Sequence, residues 1–133
     1  MTPDALIEAA RLARERAFAP YSGFRVGAAL ETADGRIVAG CNVESASYGL
    51  TLCAERVALV KAVSDGITGF KRVAVVTDVD DLTPPCGACR QLLWEFAPEA
   101  EVVLANLCGK IAVYRVAELL PRGFDAGNLR DAK

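Results

Sequence analysis

Between Ala54 and Ala105 the sequence switches repeatedly between helical and strand patterning, and this alternation limits the fold more than any other feature. Ala54 to Val63, rich in Ala, Val and Leu, reads as a helix closed by Ser64 to Gly66. Lys71 to Thr77 has the pattern of a buried strand and ends in an acidic turn with Asp78, Asp80 and Asp81. Pro84-Pro85 then introduces a helix from about Cys86 to Phe96, followed by a strand from Glu101 to Ala105. Helical crossovers between strands imply parallel neighbours.

The flanks read differently. Thr2 is placed to cap a first helix with Pro3 at its first position, and Leu6, Ala10, Ala13 and Ala17 fall at helical spacing until Pro20 to Gly23 breaks the pattern. Phe24 to Leu30 and Ile37 to Asn42 read as strands joined by a hairpin at Asp34-Gly35. Ile111 to Arg115 is a further strand after the turn Asn106 to Gly109, and Val116 to Leu120 a short helix before a polar tail carrying Phe124. Short connections imply antiparallel pairs at both ends. The expectation is an α/β protein of element order αββαβαββα, a three-layer α/β/α sandwich with a mixed five-stranded sheet, in one domain over residues 1–133.

Composition narrows the chemistry. Fifteen Lys and Arg against 17 Asp and Glu give a net charge of −2, which offers no general grip on nucleic acid or an anionic membrane. No apolar run approaches the roughly 18 residues of a membrane span, and the N-terminus has no signal-peptide pattern, so a cytoplasmic location with reduced cysteines is expected. Five cysteines, an odd number, argue against a complete disulfide framework. There is no histidine, so Ser-His-Asp and Cys-His catalysis and any imidazole-ligated zinc site are excluded.

What remains is the cysteines. Cys86-Gly87-Ala88-Cys89 is a C-x-x-C at a helix start, where i and i+3 side chains share a face and the helix dipole favours thiolate. Alone it reads as a metal site, a redox pair or an incidental pair of small residues. Cys53 opens another helix after a loop, as Cys53-Ala54-Glu55-Arg56; taken singly, it reads as a small buried residue with a solvated helix start behind it. Together, the two helix starts present three thiolates to one metal, and three protein ligands with an open position is the arrangement of catalytic zinc. Cys41 or Cys108 could close the site as a fourth ligand, but neither neighbours a second metal-like spacing and both are read as incidental. Residues i and i+2 do not share a helix face, so Cys53 and Glu55 serve one site only if Cys53 precedes the first helical turn. Glu55 is then placed as a general acid/base beside the metal, and Arg56 as a donor that draws charge from the thiolates.

Cys53-Ala54-Glu55 with Pro85-Cys86-Gly87-Ala88-Cys89 resembles the signature of the zinc-dependent cytidine deaminase superfamily in its three-cysteine form. Ala19-Pro20-Tyr21-Ser22, Phe24 to Ala29, Gly40 to Glu44, Cys86 to Gln91, Leu119-Leu120-Pro121 and Phe124 resemble the free-nucleoside cytidine deaminases, so the likeness spans nearly the whole chain. The resemblance implies one zinc per chain on Cys53, Cys86 and Cys89, activating water to attack C4 of cytosine, while Glu55 moves the water's proton to N3 and later protonates the departing amine. It implies Asn42 and Glu44 on the ribose 3′-hydroxyl, Phe24 against the pyrimidine, backbone groups at Ala54 and Cys86 on the base edge, and Arg56 on the thiolates. It also implies a homotetramer in which Tyr48 and Phe124 reach into neighbouring active sites. The expected reaction is deamination of cytidine and 2′-deoxycytidine in pyrimidine salvage.

Three rivals stand beside this reading. Blasticidin-type antibiotic deaminases share the zinc motifs, though Asn42, Glu44 and Phe124 favour an ordinary nucleoside. A polynucleotide-editing deaminase needs a basic tracking surface that the acidic balance does not provide. A non-catalytic zinc-stabilised interaction domain would close its site with four cysteines and have no use for Glu55.

Overall fold

The helix of residues Pro3–Arg14 (α1) begins at a proline, whose fixed φ and missing N–H suit a first helical position. The computed structural model describes residues 3–131, and the cap expected from Thr2 lies outside them. Past Arg14 the chain tightens into i→i−3 hydrogen bonds, Glu15 N to Leu12 O and Arg16 N to Ala13 O, so the helix ends before Ala17 although Ala17 is still buried.

Strand β1 (Val26–Thr32) and strand β2 (Ile37–Cys41) form the expected hairpin, with Gly35 at φ 90° in its turn. Helix α2 (Ala54–Ser64) leads to β3 (Phe70–Thr77), helix α3 (Gly87–Phe96) to β4 (Glu101–Asn106), and a turn to β5 (Ile111–Arg115). A short helix α4 (Val116–Leu119) follows. A last helix, α5 (Ala126–Asp131), which the expected element order did not include, lies in the polar tail.

The sheet order is β2-β1-β3-β4-β5, with β3–β4 parallel and the other three pairs antiparallel. This is the mixed five-stranded sheet expected, with one difference. Strands β2 and β3, linked through α2, run in the same direction but are not neighbours, because β1 pairs with both. A two-strand hairpin closes at little entropic cost, so β1 stays beside β2 and offers its other edge to β3.

Two layers of helix cover the sheet. On one face α1 places Leu6 and Ala10 against Ala29, Ala74, Val76 and Val103. On the other, α2 and α3 place Ala58, Leu59, Ala62 and Leu93 against Ala28, Leu30, Val73, Val75 and Val102. Neighbouring strand residues thus enter different cores, and β1 is buried along its whole length. Coverage stops at β5: Ile111 and Val113, in register with Ala105 and Val103, are about half exposed at 49% and 52%.

Glycine sets how closely the helices approach. A Cβ on Gly27 would lie 1.9 Å from the Ala10 carbonyl oxygen and 2.7 Å from the Arg14 nitrogen of α1. One on Gly40 would lie 2.7 Å from the Ala58 nitrogen of α2. Those obstacles are backbone, which cannot rotate away. Gly27→Ala is therefore expected at or beyond the upper end of overpacking costs, about 3 kcal/mol. A urea titration reads this as a lower midpoint at constant slope; an unchanged midpoint would mean that α1 is not seated as described.

Candidate active site

Cys53 is the residue before the first turn of α2, with φ −71° and ψ 153°, and Cys86 holds the same place before α3, with φ −68° and ψ 170°. In both, the backbone is still extended and the side chain makes no capping hydrogen bond, which leaves the sulfur free. Cys89 is three residues into the second motif, at the position whose side chain folds back on the cap. The sulfurs of Cys53, Cys86 and Cys89 all lie within 4.8 Å of one another, and Cys53 Sγ is 3.7 Å from Cys86 Sγ. Zinc–sulfur bonds of about 2.3 Å at tetrahedral angles give a sulfur–sulfur edge of about 3.8 Å. Cys86 is exposed, Cys53 half-buried and Cys89 fully buried, so the group has a closed floor and one open side.

The extended backbone at Cys53 also meets the condition for Glu55 to share the site. Glu55 is 6% exposed, and burial pushes its carboxyl up to about 7, with the Cys53 charge adding to the rise. That places a proton-transfer group near neutrality beside the sulfurs. Hydrogen bonding within the cluster, from Cys89 first, pulls the Cys53 thiol down to about 6 with help from the Arg56 charge, and the same pairing pushes Cys89 up. A bound metal would deprotonate all three.

Arg56 supplies an independent check on the fit. Its Nε is buried with no hydrogen-bond partner, although its charge acts on both Cys53 and Glu55. An orphaned guanidinium N–H is costly beside neutral thiols and is satisfied beside metal-bound thiolates. The donor set, the edge length and this orphan suit one zinc. Cys41 at the end of β2 and Cys108 in the β4–β5 turn are not part of the cluster.

Glu44 sits in a cleft of about 410 Å³ lined by Tyr21, Ser22, Glu44, Tyr48 and Thr51. Its carboxylate accepts from Tyr21 N at 2.9 Å, from Ser22 N at 3.1 Å and from the Ser22 hydroxyl, and the Ser22 bonds hold its pKa below the usual range. The Tyr21 and Tyr48 rings meet edge-on at 6.1 Å, with Tyr48 in a 3₁₀ turn and 75% exposed. Asn42 is buried and clamps the approach to β1: Nδ2 donates to Phe24 O at 2.8 Å and Oδ1 accepts from Val26 N at 2.9 Å. Phe24 therefore lies in a loop before β1, not at the start of a strand as the sequence suggested, and its own N–H goes to Ser22 Oγ at 3.0 Å.

Ala54 is fully buried as the first residue of α2, and the Cys86 carbonyl accepts from Arg90 N at 2.9 Å. Phe124 lines a different cleft, with Arg122, Gly123, Asp125, Gly127 and Asn128. The two clefts share no lining residue.

Sequence reasoning missed two supports. Arg90 donates from Nε to Pro85 O at 2.8 Å and from Nη1 to Leu119 O at 3.0 Å, fixing the turn that carries Cys86 to α4. Its place directly after Cys-x-x-Cys was the available signal. Ser22, which holds Glu44, lay within a motif already noted for its likeness, but nothing local pairs it with a residue 22 positions on.

The family model of the cytidine and deoxycytidylate deaminase zinc-binding region matches residues 2–105. A cytidine deaminase of Halalkalibacterium halodurans is 51% identical over 127 residues, covering 95% of this chain and 96% of that one. A blasticidin-S deaminase of Bacillus cereus is 35% identical over 104 residues, 72% of this chain and 74% of its own. The crystal structure of a cytidine deaminase from Burkholderia pseudomallei superposes with a TM-score of 0.90 at 53% identity, covering 93% of this chain and all of that one. With the three-sulfur group and the sheet order in place, the match extends through metal site and fold alike: this chain belongs to the cytidine and deoxycytidylate deaminase zinc-binding family.

Proposed function

We propose that this chain is a zinc-dependent cytidine deaminase, converting cytidine and 2′-deoxycytidine to uridine and 2′-deoxyuridine with release of ammonia in pyrimidine salvage. The observation that carries the reading is the buried Glu55 carboxyl beside three sulfurs that meet within 4.8 Å. Likeness to cytidine deaminases at about half identity over almost the whole chain supports the substrate.

Cys53, Cys86 and Cys89 hold the zinc, whose chemistry is to lower the pKa of a water to about 7. Glu55 takes one proton of the attacking water and delivers it to N3 as oxygen bonds to C4. It then takes the remaining proton from the new C4 hydroxyl and passes it to the amine, so that the C4–N bond breaks, the C4 carbonyl forms and ammonia leaves. Arg56 balances the thiolate charge. Glu44, held as a carboxylate by three donors, accepts from the ribose 3′-hydroxyl. Asn42 keeps one N–H and one lone pair for the same sugar after clamping Phe24. Phe24 packs on the pyrimidine, while backbone groups at Ala54 and Cys86 meet its polar edge.

The chain works as one domain and as a cytoplasmic homotetramer, with Tyr48 and Phe124 completing neighbouring sites. Their exposure of 75% and 54% supports this, and so does the separation of Phe124 from the Glu44 cleft. No helix among the described residues is long and apolar enough to cross a membrane.

The direct test is zinc per chain and the ultraviolet change on adding cytidine to one sample. One zinc per chain with conversion to uridine is expected. Zinc without conversion would move the substrate to a modified nucleoside or a cytosine-bearing antibiotic. Glu44→Ala tests the sugar contact: losing a charged hydrogen bond costs about 1.5–3 kcal/mol, roughly 10- to 150-fold in kcat/KM, with zinc retained. Zinc lost from that variant would make Glu44 a ligand and the assignment wrong.

A further inference from the structure

Three consecutive residues, 123 to 125, are restrained by different partners, yet the side chain at their centre is left in the open. Gly123 lies on the indole of Trp94: a Cβ there would be 2.4 Å from Cδ1 and 2.5 Å from Cγ, so no larger residue fits without displacing the ring or the loop. The Phe124 carbonyl accepts from Gln91 Nε2 at 2.6 Å. Asp125 is locked by two bonds, its N–H to Asn128 Oδ1 at 3.0 Å and Gly127 N to its own Oδ1 at 2.9 Å. Arg122, just before, adopts φ 56°, the left-handed region that a non-glycine residue holds only when its surroundings impose it.

Trp94 itself is retained at a cost. Its Nε1 is buried and has no hydrogen-bond partner. Hydrogen bonding does not account for an indole here; a flat plate against which a glycine peptide lies does. Gln91 and Trp94 are both on α3, the helix that begins at the metal cysteines Cys86 and Cys89. One rigid helix thus carries two metal ligands at one end and the seat of the Phe124 loop further along.

We infer that Trp94 and Gly123, with Gln91, are positioning residues that aim Phe124 into the nucleoside pocket of a neighbouring subunit. This rests on the proposed role of Phe124 across the subunit boundary and adds what sets its position. Phe124 touches the nucleoside equally before and during reaction, so its misplacement weakens binding and leaves the chemical step intact.

The test is steady-state kinetics of Gly123→Ala as the zinc-loaded assembly. KM for cytidine is expected to rise roughly threefold to tenfold, the value of one aromatic contact, with kcat, zinc per chain and assembly size near the parent's. Co-assembly with Glu55→Gln subunits supplies the second readout. Those subunits are inactive but contribute a well-placed Phe124, so Gly123→Ala sites beside them regain the parent KM. Phe124→Ala, alone and co-assembled in the same way, is the reference. An unchanged KM in Gly123→Ala, or no rescue where Phe124→Ala is rescued, overturns the positioning role while the role of Phe124 stands. An unchanged KM in Phe124→Ala overturns both. Zinc loss accompanying the KM rise would make Gly123 plain support for α3 and also overturn it. Should Gly123→Ala fail to fold, Gln91→Ala, which removes the donor to the Phe124 carbonyl, must show the same KM rise and rescue, and its failure to do so counts equally against the inference.

Discussion

Cys89→Ala is expected to lose zinc and deaminase activity together. Cys89 is the buried member of the three, 1% exposed, and forms the floor on which Cys53 and Cys86 close. Without it two sulfurs remain, 3.7 Å apart at the mouths of two helices, with no third ligating side chain grouped with them among the described residues. Catalytic zinc sites take three protein ligands, and dropping to two removes a large part of the binding free energy. Metal analysis after dialysis, beside a cytidine assay, reads both losses on one preparation. Full zinc occupancy in the variant would overturn the three-ligand assignment, since Cys41 and Cys108 lie outside the cluster.

Glu55→Gln separates metal from chemistry. The amide is nearly isosteric and sits where a carboxyl is already buried, so fold and zinc content should remain. Turnover should fall by roughly 10²- to 10⁴-fold, since the amide cannot take up and return a proton. A zinc-stabilised interaction domain would predict no change in anything but the side chain. Normal turnover in the variant would mean that the proton moves through another group, and the reading of the site would have to be rebuilt around it.

The metal group was legible in the sequence because its logic is local. A cysteine before a helix start and a C-x-x-C before another are short-range patterns, and the requirement that Cys53 precede the first turn of α2 followed from helix geometry alone. The order of strands was less accessible. Direction follows from connection length, but the insertion of β1 between β2 and β3 is a pairing between residues about 50 positions apart, such as Gly27 with Val76. Helix α5 was missed because Gly127 weakens its propensity. The bonds that hold it, Asp125 N to Asn128 Oδ1 and Gly127 N to Asp125 Oδ1, are a capping pattern visible only with that register in mind. Phe24 was placed in a strand because an aromatic before Val26 fits one. What takes it out is the Asn42 side chain, which occupies the carbonyl a strand partner would need.

The ends of the sheet are guarded in two different ways. At β2, one carbonyl, that of Ala39, accepts from the Lys61 ammonium of α2, so the helix that starts at Cys53 also occupies hydrogen-bonding capacity on the outer strand. At β5 nothing among the described residues covers the half-exposed Ile111 and Val113, and the segment Ile111-Ala112-Val113-Tyr114 has the apolar, β-favouring composition of an aggregation-prone stretch. Lys110 and Arg115 bracket it with like charge, so two copies meeting edge to edge bring cations toward each other before their strands pair. Of the sheet's two outer strands, β5 is therefore the one whose composition favours pairing with a second copy, and those two cations oppose it.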